Sequence, residues 1–234
     1  MKIVEIFPTN TCPPTYEDLA ARTEFFSAFA PHVQLDIDDG QFAPEISWPY
    51  ANQWKELSDK VAAREQLPLS DKVEYETHMM VMDPLEIGLA LARMGCKRLI
   101  PHIEVFRSAE EVRSVFSAWK LAGAREVGLA VLLDTPLEGV YPFVLESSVI
   151  QLMSIASLGK QGALFDERIF DRISVLHARF PQTIISIDGG VSILNIERLA
   201  KAGARRFGVG SAISKAPDPK AAYTQLLALA QAGV

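Results

Sequence analysis

Cysteine is scarce in this chain. Cys12 and Cys96 lie far apart and form no CxxC pair, which excludes a disulfide framework and points to a reducing compartment. Long basic runs are missing as well. Lys and Arg number 23 against 29 Asp and Glu, for a net charge of -6. Neither nucleic acid nor an anionic membrane is therefore expected as a main partner. Small anions stay open, because they need only local positive potential. No run of 18 or more apolar residues occurs, so no membrane span is expected. The apolar start Ile3-Val4-Glu5-Ile6-Phe7 is interrupted by Glu5 and closed by Pro8, which leaves no room for a signal-peptide core. The expectation is a cytoplasmic protein. No Gly/Ser-rich linker, low-complexity tract or charge block divides the chain. At 234 residues, 49% hydrophobic and 22% charged, it reads as one globular domain over residues 1–234.

What is present is a recurring unit of apolar run, loop and helical pattern. Strand-like runs occupy Ile3–Phe7, Val33–Ile37, Val73–Met79, Arg98–Ile103, Glu126–Leu132, Val149–Ile155, Thr183–Ile187 and Arg206–Val209. Helical patterns cover Tyr16–Phe29, Pro84–Met94, Ala109–Ala122, Glu167–Arg179, Ile193–Ala202 and Lys220–Ala232, with a weaker one at Pro136–Leu145 and none that decides Ser47–Leu57. Ser108 and Ser192 are placed as N-caps. Gly95, Gly123 and Gly203 follow helices, where a left-handed cap favours glycine. The phrases Ala92-Arg-Met-Gly-Cys-Lys-Arg, Ala122-Gly-Ala-Arg-Glu and Ala202-Gly-Ala-Arg-Arg repeat one helix-to-strand turn. Eight strands alternating with helices imply a parallel sheet. A closed (β/α)8 TIM barrel, typically about 250 residues, fits better than a doubly wound sheet. The latter would carry a Gly-rich turn where this chain has Phe7-Pro8-Thr9-Asn10.

The stretch Val33-Gln34-Leu35-Asp36-Ile37-Asp38-Asp39-Gly40 alternates like a strand. Val33, Leu35 and Ile37 take one face, and Gln34, Asp36 and Asp38 the other. Polar groups aligned in this way are costly if buried without partners. Either that face is a wet edge, or it forms a site for a metal or a charged substrate. In barrels, catalytic groups sit at strand C-terminal ends. There the chain also places Glu76, His78 and Met80, then His102 and Glu104, then Asp188. His32 and His177 fall elsewhere. Asp36, His78 and Asp188 on three strands suit a divalent transition metal, or else a hydrogen-bonded cluster without one. Gly189-Gly190 and Gly210-Ser211 follow the last two strands. Barrels often bind phosphate there, although tight βα turns account for the same residues.

Seven motifs in order carry a resemblance. They are Gln34-Leu-Asp36-Ile-Asp38-Asp39-Gly40-Gln-Phe42-Ala-Pro44, His78-Met-Met80-Val81-Met-Asp-Pro84, His102-Ile-Glu104, Gly128-Leu-Ala-Val with Thr135-Pro-Leu-Glu138, Met153-Ser154-Ile155, Ile187-Asp188-Gly189-Gly190-Val191, and Gly210-Ser211-Ala212-Ile213. Over nearly its whole length the chain resembles the ribulose-phosphate 3-epimerase family. The resemblance implies ribulose 5-phosphate/xylulose 5-phosphate interconversion in carbohydrate (pentose phosphate) metabolism, by two-base proton transfer at C3. It implies Asp36 and Asp188 as the acid/base pair and Asp36, His78, Asp188 and Gln34 as the metal site for zinc, iron or manganese. Asp38, Met80, Met153, His102 and Glu104 would line the pocket. Gly189, Gly190, Gly210 and Ser211, with Gly159 and Gly162 of the strand 6 loop, would hold phosphate. Lys160 in that loop is either a further phosphate contact or a solvated charge.

Three departures stand out. The family has histidine where this chain has Gln34, and an amide oxygen is a poorer zinc ligand than imidazole. Asp38 replaces a pocket methionine. The strand 1 serine falls near Ile6, so a substrate-positioning hydroxyl is expected to be absent. A homo-oligomer is compatible with this reading. Rival readings are another barrel enzyme on a phosphosugar and a non-catalytic phosphometabolite binder. The D-x-K-x-x-D pattern of related decarboxylases and synthases lacks its lysine in Asp36-Ile-Asp38.

Overall fold

The structure, a computed structural model, describes residues 4–156, 158 and 164–234. Eight strands close into a parallel barrel in chain order. They are β1 (Glu5–Asn10), β2 (His32–Asp38), β3 (Glu74–Met80), β4 (Arg98–Pro101), β5 (Glu126–Val131), β6 (Val149–Met153), β7 (Ile185–Asp188) and β8 (Arg206–Val209). The helices are α1 (Tyr16–Ser27), α2 (Lys55–Ala62), α3 (Pro84–Arg93), α4 (Ala109–Ala122), α5 (Ile169–Arg179), α6 (Ile196–Ala202), α7 (Ser211–Ser214) and α8 (Pro219–Ala232). This is the expected (β/α)8 architecture. No helix among the described residues is long and apolar enough to cross a membrane.

Several boundaries differ from the sequence reading. The proline at position 8 suggests a strand stop, because it cannot donate to a ladder. β1 nevertheless runs through it, with Pro8 opposite Val209 on β8 and Thr9 opposite Gln34 on β2. The segment Pro136–Leu145 holds two short 3-10 turns at Leu137–Gly139 and Tyr141–Phe143. Ser47–Leu57 holds another, Tyr50–Asn52, before α2 begins at Lys55. Ser108 does cap α4, its hydroxyl accepting from the Glu111 N–H at 3.2 Å. Helix α6 begins at Ile196, later than the expected Ile193. Ser192 still makes cap contacts ahead of it: its hydroxyl accepts from the Leu194 N–H at 3.3 Å, its carbonyl accepts from the Ile196 N–H at 3.0 Å, and the Asn195 side chain accepts from the Ser192 N–H at 2.8 Å. Gly95, Gly123 and Gly203 take positive φ after their helices, as expected.

Strand alternation sorts the side chains between two environments. Outward residues such as Leu35, Ile37, Met79 and Leu129 pack under Leu19, Phe26, Trp119, Leu176 and Leu226 of the helices, in one buried apolar shell. The barrel interior is unusually polar. Near the N-terminal ends of the strands, Arg206 meets Glu5 at 2.6 Å and Glu126 at 2.7 Å, and Arg98 meets Glu5 and Glu74, each at 3.0 Å. Glu76 is fully buried beside them, with Arg206 at 3.7 Å. This ionic layer closes one end of the barrel. The candidate site lies at the other.

Candidate active site

Four polar side chains converge inside the barrel. Asp36 comes from β2, His78 from β3, Asp188 from the end of β7, and Gln34 reaches across from β2. One ligand atom from each of Asp36, His78 and Asp188 lies within 4.8 Å of the others. The Gln34 amide donates to Asp36 Oδ1 at 2.9 Å and to Asp188 Oδ2 at 2.7 Å, so one NH2 group spans both carboxylates. A Cβ on Gly208 of β8 would come within 2.8 Å of Gln34 Oε1 and 3.2 Å of the Asp188 carboxyl. Gly208 therefore opens the space that this bridge needs. Gln151 on β6 also donates to Asp188 Oδ2, at 3.3 Å. The sequence reading missed Gln151, although it shares the inner face of β6 with Met153.

The His78 ring is buried and points between the two aspartates. Its Nδ1 is 3.1 Å from Asp188 Oδ2 and 3.5 Å from Asp36 Oδ1, yet it is aligned for a hydrogen bond with neither. Burial opposes the imidazolium, but contact with Asp188 and Asp36 outweighs it and lifts the His78 pKa to about 10. The two carboxyls move in opposite directions. Burial, with repulsion from Asp188, raises Asp36. Burial also works against ionised Asp188, but His78 more than offsets it and holds that carboxyl low. Such divergence within one pair is what acid/base partners require.

Asp38 lies farther up β2, opposite Met80 and fully buried. The Cys12 thiol donates to its Oδ2 at 2.6 Å, from a residue in left-handed backbone at φ 45°. Burial pushes the Asp38 carboxyl up to about 7. Cys12 was not foreseen, because nothing in the sequence ties position 12 to position 38. Met80 and Met153 are buried on the inner faces of β3 and β6. His102 and Glu104 lie behind His78, with His102 Nε2 2.9 Å from His78 Nε2. The expectation that strand 1 lacks a substrate-positioning hydroxyl rests on Ile6 as the position in question. β1 continues past Ile6, and Thr9 is buried in register with Gln34. Asn10 turns outward to the carbonyl of Leu19 on α1, which leaves Thr9 on the inner side.

Gly189-Gly190 follow β7 and Gly210-Ser211 follow β8, Ser211 being the first residue of α7, at the same end of the barrel as the aspartates. Gly189 and Gly190 have φ of 108° and 65°. A Cβ on them would come within 2.8 Å of Ile155 and 3.0 Å of Phe165 respectively. Turn geometry and local packing thus already demand glycine there, apart from any anion. Gly159, Lys160 and Gly162 lie outside the described residues.

The donor set fits a divalent cation. It combines one imidazole and two carboxylates. His78 Nδ1 and Gln34 Oε1 are buried without hydrogen-bond partners, as is Asp38 Oδ1. Turning the Gln34 amide over would direct its oxygen toward the carboxylates, an arrangement that only a cation between them would favour.

The family model for the ribulose-phosphate 3-epimerase family matches residues 16–214. The chain belongs to the ribulose-phosphate 3-epimerase family. It is 27% identical over 189 residues to the cytoplasmic isoform of ribulose-phosphate 3-epimerase from Oryza sativa subsp. japonica, covering 80% of this chain and 77% of that protein. It is 28% identical over 201 residues to ribulose-phosphate 3-epimerase from Aquifex aeolicus, covering 84% and 83%. Among solved structures, 3-hexulose-6-phosphate synthase from Salmonella typhimurium superposes with a TM-score of 0.67 at 17% identity, over all of both chains. KGPDC from Streptococcus mutans superposes with a TM-score of 0.69 at 10% identity, over 98% of each. At such identities these two likenesses show the barrel fold alone. The relatives named as epimerases are isomerase-class enzymes, and the family places this chain among them.

Proposed function

We propose that this protein interconverts ribulose 5-phosphate and xylulose 5-phosphate by proton transfer at C3. The observation that carries the reading is the pairing of Asp36 and Asp188 inside the barrel, bridged by Gln34 and flanking His78. Epimerisation beside a ketone needs one group to remove the C3 proton and another to return it from the opposite face. A phosphate anchored at the loops of Gly189, Gly190, Gly210 and Ser211 would stop the substrate from turning over, so two bases are required. Asp188, held low in pKa, suits the ionised role. Asp36, held high, suits the protonated one. Gln34 keeps both carboxylates in register with each other, and Met80 and Met153 exclude water from the buried face.

A divalent cation, whether zinc, iron or manganese, would be held by Asp36, His78 and Asp188 with Gln34 or Asp38, and would polarise the ketone and enolate oxygens when bound. The test is turnover of ribulose 5-phosphate in deuterium oxide with zinc, manganese or iron supplied. Xylulose 5-phosphate carrying deuterium at C3 is the expected product. No exchange and no epimer under any of these conditions would refute the reading.

A further inference from the structure

We propose that His102 and Glu104 are positioning residues that present Nδ1 of His78 to the two aspartates. The inference rests on the reading of Asp36, His78 and Asp188 as the working site, and deepens it. The three side chains form a chain of contacts. Glu104 Oε1 accepts from the Leu132 backbone N–H at 2.8 Å, which fixes the carboxylate against the end of β5. Glu104 Oε2 is 3.2 Å from His102 Nδ1. His102 Nε2 is 2.9 Å from His78 Nε2. The His102 ring is held on both sides, by Phe42 at 4.6 Å and by His78 at 5.0 Å between ring centroids. It is fully buried and has no freedom to take another partner.

The direction of each bond follows by elimination. An ionised carboxylate only accepts, so His102 Nδ1 carries a proton and donates to Glu104. Burial opposes ionised Glu104, but its bond from His102 more than offsets this. The His102 ring is fully buried with Phe42 packed against it, and a charge there would be taken wholly out of water, so the ring is neutral. Neutral His102 then has a bare Nε2. At 2.9 Å from another ring nitrogen, that lone pair needs a proton. The proton belongs to His78 Nε2. The other His78 nitrogen, Nδ1, is therefore the one left to face Asp36 and Asp188. A ligating histidine is ordinarily oriented in this way, through the nitrogen that does not bind. Here a second histidine relays the effect of the carboxylate.

The test uses the full chain, stripped of metal and labelled with nitrogen-15. An N–H···N bond transmits a scalar coupling between its two nitrogens. The expected result is a coupling between His78 Nε2 and His102 Nε2, with the proton bonded to His78 Nε2. A proton bonded to His102 Nε2, or no coupling between the pair, overturns the proposal. Zinc affinity, measured by competition with a chromophoric chelator, gives a second readout. His102→Leu should weaken zinc binding about 10–100-fold, the range for loss of such outer partners. His102→Gln has an amide oxygen to accept and an amide N–H to donate, and should restore binding to within a few-fold of the parent. If His102→Leu fails to fold, Glu104→Gln on the rim decides, with a smaller loss in the same direction expected. Parent affinity in the folded variant overturns the proposal. Failure of the epimerase reading would appear separately, as no turnover of ribulose 5-phosphate with the histidine coupling intact.

Discussion

Replacing one aspartate of the pair by asparagine should separate proton removal from epimerisation. Asparagine keeps the size of the side chain and removes its basicity. In the structure Asp188 Oδ2 accepts from Gln34 at 2.7 Å and from Gln151 at 3.3 Å. An amide oxygen in Asp188→Asn can still accept from both. Bonds to a charged group, worth about 1.5–3 kcal/mol each, become neutral ones worth about 0.5–1.5. These two bonds account for about 1–3 kcal/mol of lost stability, and Asp36, 3.5 Å from His78 Nδ1, remains to balance the imidazolium that Asp188 now faces, so the loss stays well inside the roughly 5–15 kcal/mol that holds a domain folded. Loss of a positioned acid/base group costs about 10²–10⁴ in rate, or roughly 3–5 kcal/mol of barrier. The chemical loss should thus exceed the structural one. The assay follows deuterium entry at C3 by NMR, starting separately from ribulose 5-phosphate and xylulose 5-phosphate. Asp188→Asn and Asp36→Asn should each lose interconversion by at least about 100-fold. Each should keep deuterium exchange with one epimer only, the one whose C–H faces the surviving carboxylate. The two variants should keep opposite epimers. Exchange of the same epimer by both folded variants would refute the two-base argument.

Three further outcomes are expected. Gln34→His restores an imidazole beside Asp36 and Asp188 and should tighten zinc binding; a parent-like constant in chelator competition would remove Gln34 from the ligand set. Ser211→Asp places a carboxylate at the junction of β8 and α7 and should raise KM for ribulose 5-phosphate more than it lowers kcat, and an unchanged KM would exclude that junction from phosphate binding. Burial raises the Glu76 carboxyl to about 7, although Arg206 and Arg98 pull it down while Glu126 and Glu5 push it up. A raised carboxyl contributes fully below its unfolded pKa near 4.5 and loses that contribution as pH climbs through about 7. The parent should therefore lose on the order of 3 kcal/mol between about pH 5 and about pH 8 relative to Glu76→Gln. Parallel urea-denaturation curves for the two proteins at both pH values would refute this.

Much of the barrel was legible because parallel strands buried on both faces read as apolar runs, and because three like turns punctuate them. Gly95, Gly123 and Gly203 mark helix ends by a backbone need that is local to each turn. What failed was also local in cause. Pro8 suggests a strand end, and only the pairing of β1 with β8 and β2 shows that the missing donor is tolerated there. The segment from Pro136 to Leu145 has helix-compatible residues, but Pro136 and Pro142 leave room only for two short 3-10 turns. Ser192 caps as its composition suggests, but the turn 193–195 that it caps is not regular helix, so α6 proper begins only at Ile196.

The candidate site was legible as a set of residues and much less so as a set of bonds. Alternation along β2 and the strand-end rule place Gln34, Asp36, His78 and Asp188 on inner faces. They do not say which end of an amide meets a carboxylate. That depends on Gly208, contributed by a strand at the far end of the chain, which clears the space for Gln34 to reach Asp188. The same limit hid Cys12 behind Asp38 and Gln151 beside Asp188. It also bears on the substitution of histidine by Gln34. A neutral imidazole offers a cation one lone pair and has nothing else to turn toward it. Gln34 carries an N–H2 that bridges the aspartates and an oxygen that can ligate. Its two ends suit opposite states of the site, and binding a cation would forfeit two short hydrogen bonds to carboxylates. Each such bond is worth about 1.5–3 kcal/mol. If a cation is held here, the cost of that forfeited bridge adds to the poorer donor, and weaker binding than with a histidine at position 34 is the expected outcome of the Gln34→His comparison.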